Sequence, residues 1–125
     1  MVLGIGVDLV EISRIATLLA DHPDRAPRRL FSETERRDCE KRARPEECLA
    51  ARFAAKEAFW KAVGTGLSGP VAWHDVSIRV ENGGRPVLET RGGARTRLAE
   101  LGAKATHISI SHEAGFAIAV VMIEG

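Results

Sequence analysis

Pro45-Glu46-Glu47-Cys48-Leu49-Ala50-Ala51-Arg52-Phe53-Ala54-Ala55-Lys56-Glu57-Ala58-Phe59-Trp60-Lys61-Ala62-Val63, closed by Gly64, is the stretch on which the fold turns. Proline suits the first turn of a helix, where its missing N–H costs nothing, and glycine suits the stop. At about 100° per residue, Leu49, Phe53 and Trp60 fall on one face, with Glu57 at the edge of that stripe and Lys61 one turn beyond. Alanines at 50, 51, 54, 55, 58 and 62 fill most of the remaining surface. A helix this apolar all round is packed on more than one side, so its charges need partners.

Working outward, Val2 to Val10 is short, β-branched and interrupted by glycines, and reads as a first strand. A helix is expected from about Glu11 to Ala20, with Ile12, Ile15 and Leu19 on one face. His22 to Leu30 carries two prolines and reads as a loop. Ser32-Glu33-Thr34-Glu35 has the form of a capping box and starts a charged helix to about Ala43. Beyond the long helix, Thr65 to Trp73 reads as a Gly/Pro loop. Strands are expected at His74 to Glu81 and Pro86 to Thr90, joined through Asn82-Gly83-Gly84. A short helix from Ala94 to Leu101 precedes a second hairpin, Thr106 to Ser111 and Phe116 to Ile123, turning at Glu113-Ala114-Gly115. Helices mixed with antiparallel hairpins make the fold class α+β, an antiparallel sheet packed against a long central helix.

The 125 residues fit one domain, 1–125, and 45% hydrophobic content is enough for a core. Eighteen basic against 17 acidic residues leave a net charge of +1, so no nucleic-acid or membrane partner is expected. Met1 to Gly6 has no basic leader region, no apolar run reaches membrane-spanning length, and a cytoplasmic protein is expected. Cys39 and Cys48, nine apart without a CxxC spacing, are either a lone disulfide or a reduced pair, and the reduced pair is the preferred reading.

Several charges call for explanation. Glu57 and Lys61 could form a simple i,i+4 pair, or, with Arg52 and Lys56 among the alanines, could face an anionic ligand beside the helix. Asp8, ending a β-branched strand, could cap the next helix or bind a metal. If folding joins Asp8 and Glu57, the pair makes a hard-oxygen site suited to Mg2+, which takes one or two carboxylates together with water and phosphate oxygens. His112 is either a turn histidine or a phosphate donor at a strand end. The GxG at Gly4-Ile5-Gly6 lacks the third glycine of a dinucleotide site, and no P-loop is present. Ser111-His112-Glu113 alternate faces along a strand and do not make a triad. Between Arg14 and Arg44 lie nine basic and six acidic residues, with Arg25, Arg28 and Arg29 the least balanced group. They could steer an acidic macromolecule.

Three segments then resemble one family. They are Gly4-Ile5-Gly6-Val7-Asp8-Leu9-Val10-Glu11-Ile12, the helix Ala51 to Ala62 followed by Gly64-Thr65-Gly66, and Ile108 to His112 with Ala117 to Val121. In that order, over nearly the whole chain, they resemble the holo-[acyl-carrier-protein] synthases, the short trimeric type within the 4'-phosphopantetheinyl transferase superfamily. Trp60 is bulkier than the family pattern leads one to expect. The resemblance implies the 4'-phosphopantetheinyl transferase fold, in one copy. It also implies transfer of phosphopantetheine from coenzyme A to a serine of acyl carrier protein, with release of adenosine 3',5'-bisphosphate. Asp8 and Glu57 would hold Mg2+, and Lys61 would contact the diphosphate. Arg52, His112 and the turn Gly84-Arg85-Pro86 would hold the nucleotide side of coenzyme A. The serine proton would go to Glu57 or to a water on the metal. Arg14, Arg25 and Arg28 would dock the carrier protein on a homotrimer whose sites lie between subunits. A catalytically silent module that binds coenzyme A or carrier protein is the rival of a different class.

Overall fold

The computed structural model describes residues 1–64 and 73–125, so the loop expected from Thr65 lies outside the described residues except for Trp73. The chain runs β1 (Val2–Glu11), α1 (Ile12–Asp21), α2 (Arg25–Leu30), α3 (Glu33–Glu40) and α4 (Pro45–Val63). After a 3-10 turn at Trp73–Asp75 come β2 (Val76–Val80), β3 (Pro86–Thr90), α5 (Gly92–Leu101), β4 (Ala105–Glu113) and β5 (Phe116–Glu124). A three-stranded antiparallel sheet has the order β1-β5-β4, and β2 and β3 form a separate hairpin. The architecture is α+β, with α4 packed on the sheet.

The reading of α4 holds to the residue. It begins at Pro45 and stops at Gly64, whose φ of 76° is the left-handed conformation that glycine adopts without strain. From Ala50 to Val63 every residue is buried except Glu57, half-buried, and Lys61, exposed. The alanines let neighbours approach from several sides, and those two charges sit where this stretch of the helix is least covered. On β1, Gly6 and Val10 turn inward. The absence of a side chain at Gly6 matters because a Cβ there would stand 1.9 Å from the carbonyl oxygen of Ala58. The strand therefore lies directly on the helix backbone. Across the sheet, Ala117, Ala119, Val121 and Ile123 of β5 are completely buried, in the alternation expected of a strand with one covered face.

Behind α4 a buried ion pair ties the helix to the rest of the fold. Lys56 Nζ lies 2.6 Å from Glu35 Oε1, with both side chains fully buried. Glu35 also completes the capping box foreseen at Ser32: Ser32 N donates to Glu35 Oε1 at 2.8 Å, and Glu35 N donates to Ser32 Oγ at 3.2 Å. Ile78 N donates to Glu35 Oε2, and Lys56 Nζ donates to the Leu30 carbonyl at 2.9 Å. One carboxylate thus serves α3, α4 and β2 together. Burial pulls the Lys56 pKa below the usual lysine value, and Glu35 opposes that pull.

Other expectations need correcting. Residues 25–30 are helical despite Pro27, because the first turn of a helix needs no N–H donor and Pro27 stands there. The charged helix α3 ends at Glu40 rather than near Ala43. The strand expected from His74 begins at Val76, after the 3-10 turn. Cys39 and Cys48, read as reduced, are joined in a disulfide. The short turn between α3 and α4 folds back and brings their Cα atoms to 5.4 Å, a closeness that nine residues of spacing do not disclose. Among the described residues no helix is long and apolar enough to cross a membrane.

Candidate functional site

The β1–α4 contact brings the two foreseen carboxylates together. Asp8 has a largely covered side chain, 16% exposed. Burial first, and the Asp8 charge second, raise the Glu57 pKa above its ordinary value, while Lys61 and Arg14 pull it back. The charges of Asp8, Lys61 and Arg14 all act on Glu57. Lys61 does not take the simple i,i+4 partner on its own helix. Its Nζ reaches across to β1, donating to the Val7 carbonyl at 3.0 Å and to Asp8 Oδ1 at 3.3 Å. Two neighbouring carboxylates repel, so the Asp8 charge adds to the larger effect of burial in raising the Glu57 pKa. Among the described residues no third His, Cys, Asp or Glu joins them. The donor set therefore fits Mg2+, whose remaining positions go to water and phosphate oxygens.

A second feature lies along the N-terminal half of α4. A cleft of about 440 Å3 is lined by Arg42, Arg44, Cys48, Arg52, Gly84, Pro86, Ile110 and His112, among others. Four residues singled out in the sequence, from α4, the β2–β3 turn and β4, meet here. Arg85 is exposed and does not line the cleft, although both its neighbours do. Arg52 is 4% exposed. Its Nη1 donates to Cys48 Sγ at 3.1 Å, but Nε and Nη2 are buried with no partner among the described residues. Burial lowers its pKa, Glu35 and Asp38 offset that in part, and Arg42 adds to it. A guanidinium with buried, unmatched donors at a cleft wall fits an anion that can take them, and phosphate geometry suits the fork. His112 Nε2 lies 3.4 Å from Glu47 Oε1 at the rim.

The three candidate docking arginines do not form one cluster. Arg14 sits with its guanidinium 5.9 Å from the centre of the Phe53 ring and acts on Glu57, so it belongs to the carboxylate window. Arg25 lines a small groove with Leu18, His22 and Arg29, whereas Arg28 lines a larger one with Arg36, His74 and Arg91. Sequence reasoning missed the Lys56–Glu35 pair, because residues 21 apart on two helices carry no pairing signal. It also missed Cys48 as a lining residue. Glu35 could have been flagged, since a capping-box carboxylate has a second oxygen to spend.

Known proteins resemble this chain over nearly its whole length. The family model for the 4'-phosphopantetheinyl transferase superfamily matches residues 4–121. A holo-[acyl-carrier-protein] synthase of Trichlorobacter lovleyi is 44% identical over 124 residues, covering 99% of this chain and 98% of that protein. One from Desulforudis audaxviator is 46% identical over 125 residues, covering 100% and 95%. Among solved structures, the holo-[acyl-carrier-protein] synthase of Neisseria meningitidis superposes with a TM-score of 0.89 at 35% identity, covering all of both chains. The Helicobacter pylori enzyme in complex with coenzyme A gives 0.84 at 29% identity, over 96% of this chain and 99% of that one.

Proposed function

We infer that this chain, which belongs to the 4'-phosphopantetheinyl transferase superfamily, moves the 4'-phosphopantetheine group of coenzyme A onto a serine of apo-acyl carrier protein and releases adenosine 3',5'-bisphosphate. The reaction arms the carrier for fatty acid synthesis, and its substrates place it in the cytoplasm. One domain, 1–125, carries it.

The observation that supports the reading most directly is the Asp8–Glu57–Lys61 window, where the buried half of α4 leaves two charges uncovered. Asp8 and Glu57 would hold Mg2+. Bound there, the ion supplies Lewis-acid polarisation of the diphosphate and neutralises charge on the leaving group. Lys61, already anchored by the Val7 carbonyl, presents its ammonium as a fixed point charge to the same diphosphate. The incoming serine hydroxyl would give its proton to the half-buried Glu57 carboxylate or to a water on the metal. Arg52, Gly84, Pro86 and His112 would hold the nucleotide in the cleft.

A homotrimer is the proposed assembly. The outer face of the β1–β5 pair exposes Ile5, Val7, Leu9, Phe116, Ile118 and Val120, each between 37% and 62% open. In the sheet register, Val7 stands opposite Val120 and Leu9 opposite Ile118, which makes one continuous apolar patch. A patch of that kind on a small chain marks an interface. Covering it with neighbouring subunits would remove these side chains from water.

The test is direct. The chain is incubated with apo-acyl carrier protein, coenzyme A and MgCl2, and the carrier is weighed by intact-protein mass spectrometry. A gain of one phosphopantetheine per carrier, abolished by EDTA, is expected. Failure to gain that mass would leave only a silent binding module.

A further inference from the structure

We propose that the Cys39–Cys48 pair is a redox-controlled positioning device for Arg52, tuning how tightly the cleft holds the nucleotide end of coenzyme A. The proposal rests on the reading of that cleft given above and adds its regulation. Cys39 is completely buried at the end of α3, and Cys48, in the first turn of α4, lines the cleft. Arg52 is one helical turn beyond Cys48 and donates Nη1 to its sulfur at 3.1 Å.

In the disulfide that sulfur is neutral and a weak acceptor, so the guanidinium keeps its charge unmatched at close range. Glu35, the countercharge that acts on it most, is already spent on Lys56, Ser32 N and Ile78 N, and Asp38 acts on it less. Nε and Nη2 of Arg52 are buried and have no partner among the described residues.

Reduction by a dithiol changes this. The disulfide takes two electrons and two protons from the reductant, which closes to its own cyclic disulfide, and Cys39 and Cys48 become thiols. Attack falls on Cys48, because Cys48 lines the cleft and Cys39 is completely buried. A thiol touching a guanidinium ionises more readily than a free one, so Cys48 becomes a thiolate paired with Arg52. That negative charge competes with the phosphate for the same guanidinium. Reduction also releases the tether across the turn that carries Arg42 and Arg44, two further cleft residues.

Adenosine 3',5'-bisphosphate is the probe, because it carries no thiol and cannot itself reduce the protein. Its Kd is measured by calorimetry at pH 8 on oxidised protein and on protein reduced with dithiothreitol. Intact mass confirms the two-hydrogen difference. The expected result is binding about tenfold weaker after reduction, the scale of one charge-assisted hydrogen bond. Cys39→Ser, which leaves Cys48 permanently free, should bind weakly with or without reductant. Cys48→Ala, which removes the competing sulfur, should bind tightly in both conditions. Loss of the tether alone would weaken both variants equally, and that result overturns the charge competition. Equal affinity of oxidised and reduced wild type, or absence of the mass difference, overturns the switch while leaving the cleft reading intact. If neither form binds the nucleotide, the cleft reading fails and the switch falls with it.

Discussion

Replacing Gly6 with alanine would press a methyl group into the contact that sets the spacing of the two carboxylates. The new Cβ would stand 1.9 Å from the Ala58 carbonyl oxygen and 2.7 Å from Ala62 N, whereas ordinary contact begins at 3.4 Å. Closing the gap from 1.9 to 3.4 Å requires β1 and α4 to separate by roughly 1.5 Å. The helix cannot yield easily, because Lys56 pins it to Glu35 on another side. Overpacking costs about 1–3 kcal/mol, and two clashes with backbone place this case near 3, out of a total stability of about 5–15 kcal/mol. At the site, the Lys61 bonds to the Val7 carbonyl and to Asp8, now 3.0 and 3.3 Å, would stretch past hydrogen-bonding range. A displacement near 1 Å in a positioned site costs on the order of 100-fold in rate. Urea denaturation and kcat for carrier modification are the assays. Gly102→Ala is the control: its φ of 77° makes a side chain strained, but nothing lies within 4 Å. It should lose about 1 kcal/mol and keep full kcat. If Gly6→Ala stays within twofold of wild type in kcat with an unmoved urea midpoint, the strand-to-helix contact does not set the site.

Glu57→Gln should lower turnover by orders of magnitude while the protein stays folded. The folded Glu57 pKa is raised, chiefly by burial and then by Asp8, so its stabilising contribution is present below the unfolded value of 4.5 and is lost as pH rises through the folded value. In metal-free buffer the Tm of wild type should therefore fall relative to Glu57→Gln across that rise, and MgCl2 should restore wild type only. Lys56→Met should cost about 3–5 kcal/mol by leaving Glu35 charged and buried, and in urea titrations Lys56→Met with Glu35→Gln should lose less than the two singles together. Leu9→Lys, on the exposed sheet face, should reduce the assembly to monomers by light scattering and lower activity with it. Arg14→Glu or Arg28→Glu should raise KM for the carrier protein more than KM for coenzyme A, and equal effects would discredit these arginines as a docking surface.

Residues close in sequence, or repeating with a clear period, gave themselves away. Proline, alanines and glycine bounded α4 to the residue, and Asn82-Gly83-Gly84 and Ala114-Gly115 marked both hairpins. The capping box at Ser32 and Glu35 was legible because both partners lie within one turn. The short helix α2 was hidden by Pro27, since proline breaks a helix or starts one depending on where the first turn falls, and composition does not say where. Asp8 and Glu57 could be named as candidates, because a carboxylate on an apolar element needs an explanation.

Taken alone, the sequence determined the class of fold, the long helix and the chemical character of the site, because periodicity, caps and turns act over a few residues. Only the tertiary structure decided which charges meet. It gave Lys61 to Asp8 rather than to Glu57, buried Lys56 against Glu35, joined Cys39 to Cys48, and left two Arg52 nitrogens unpartnered in a cleft. Those pairings depend on which backbones can approach one another. Here the approach is set by glycines and alanines too small to hold β1 away from α4.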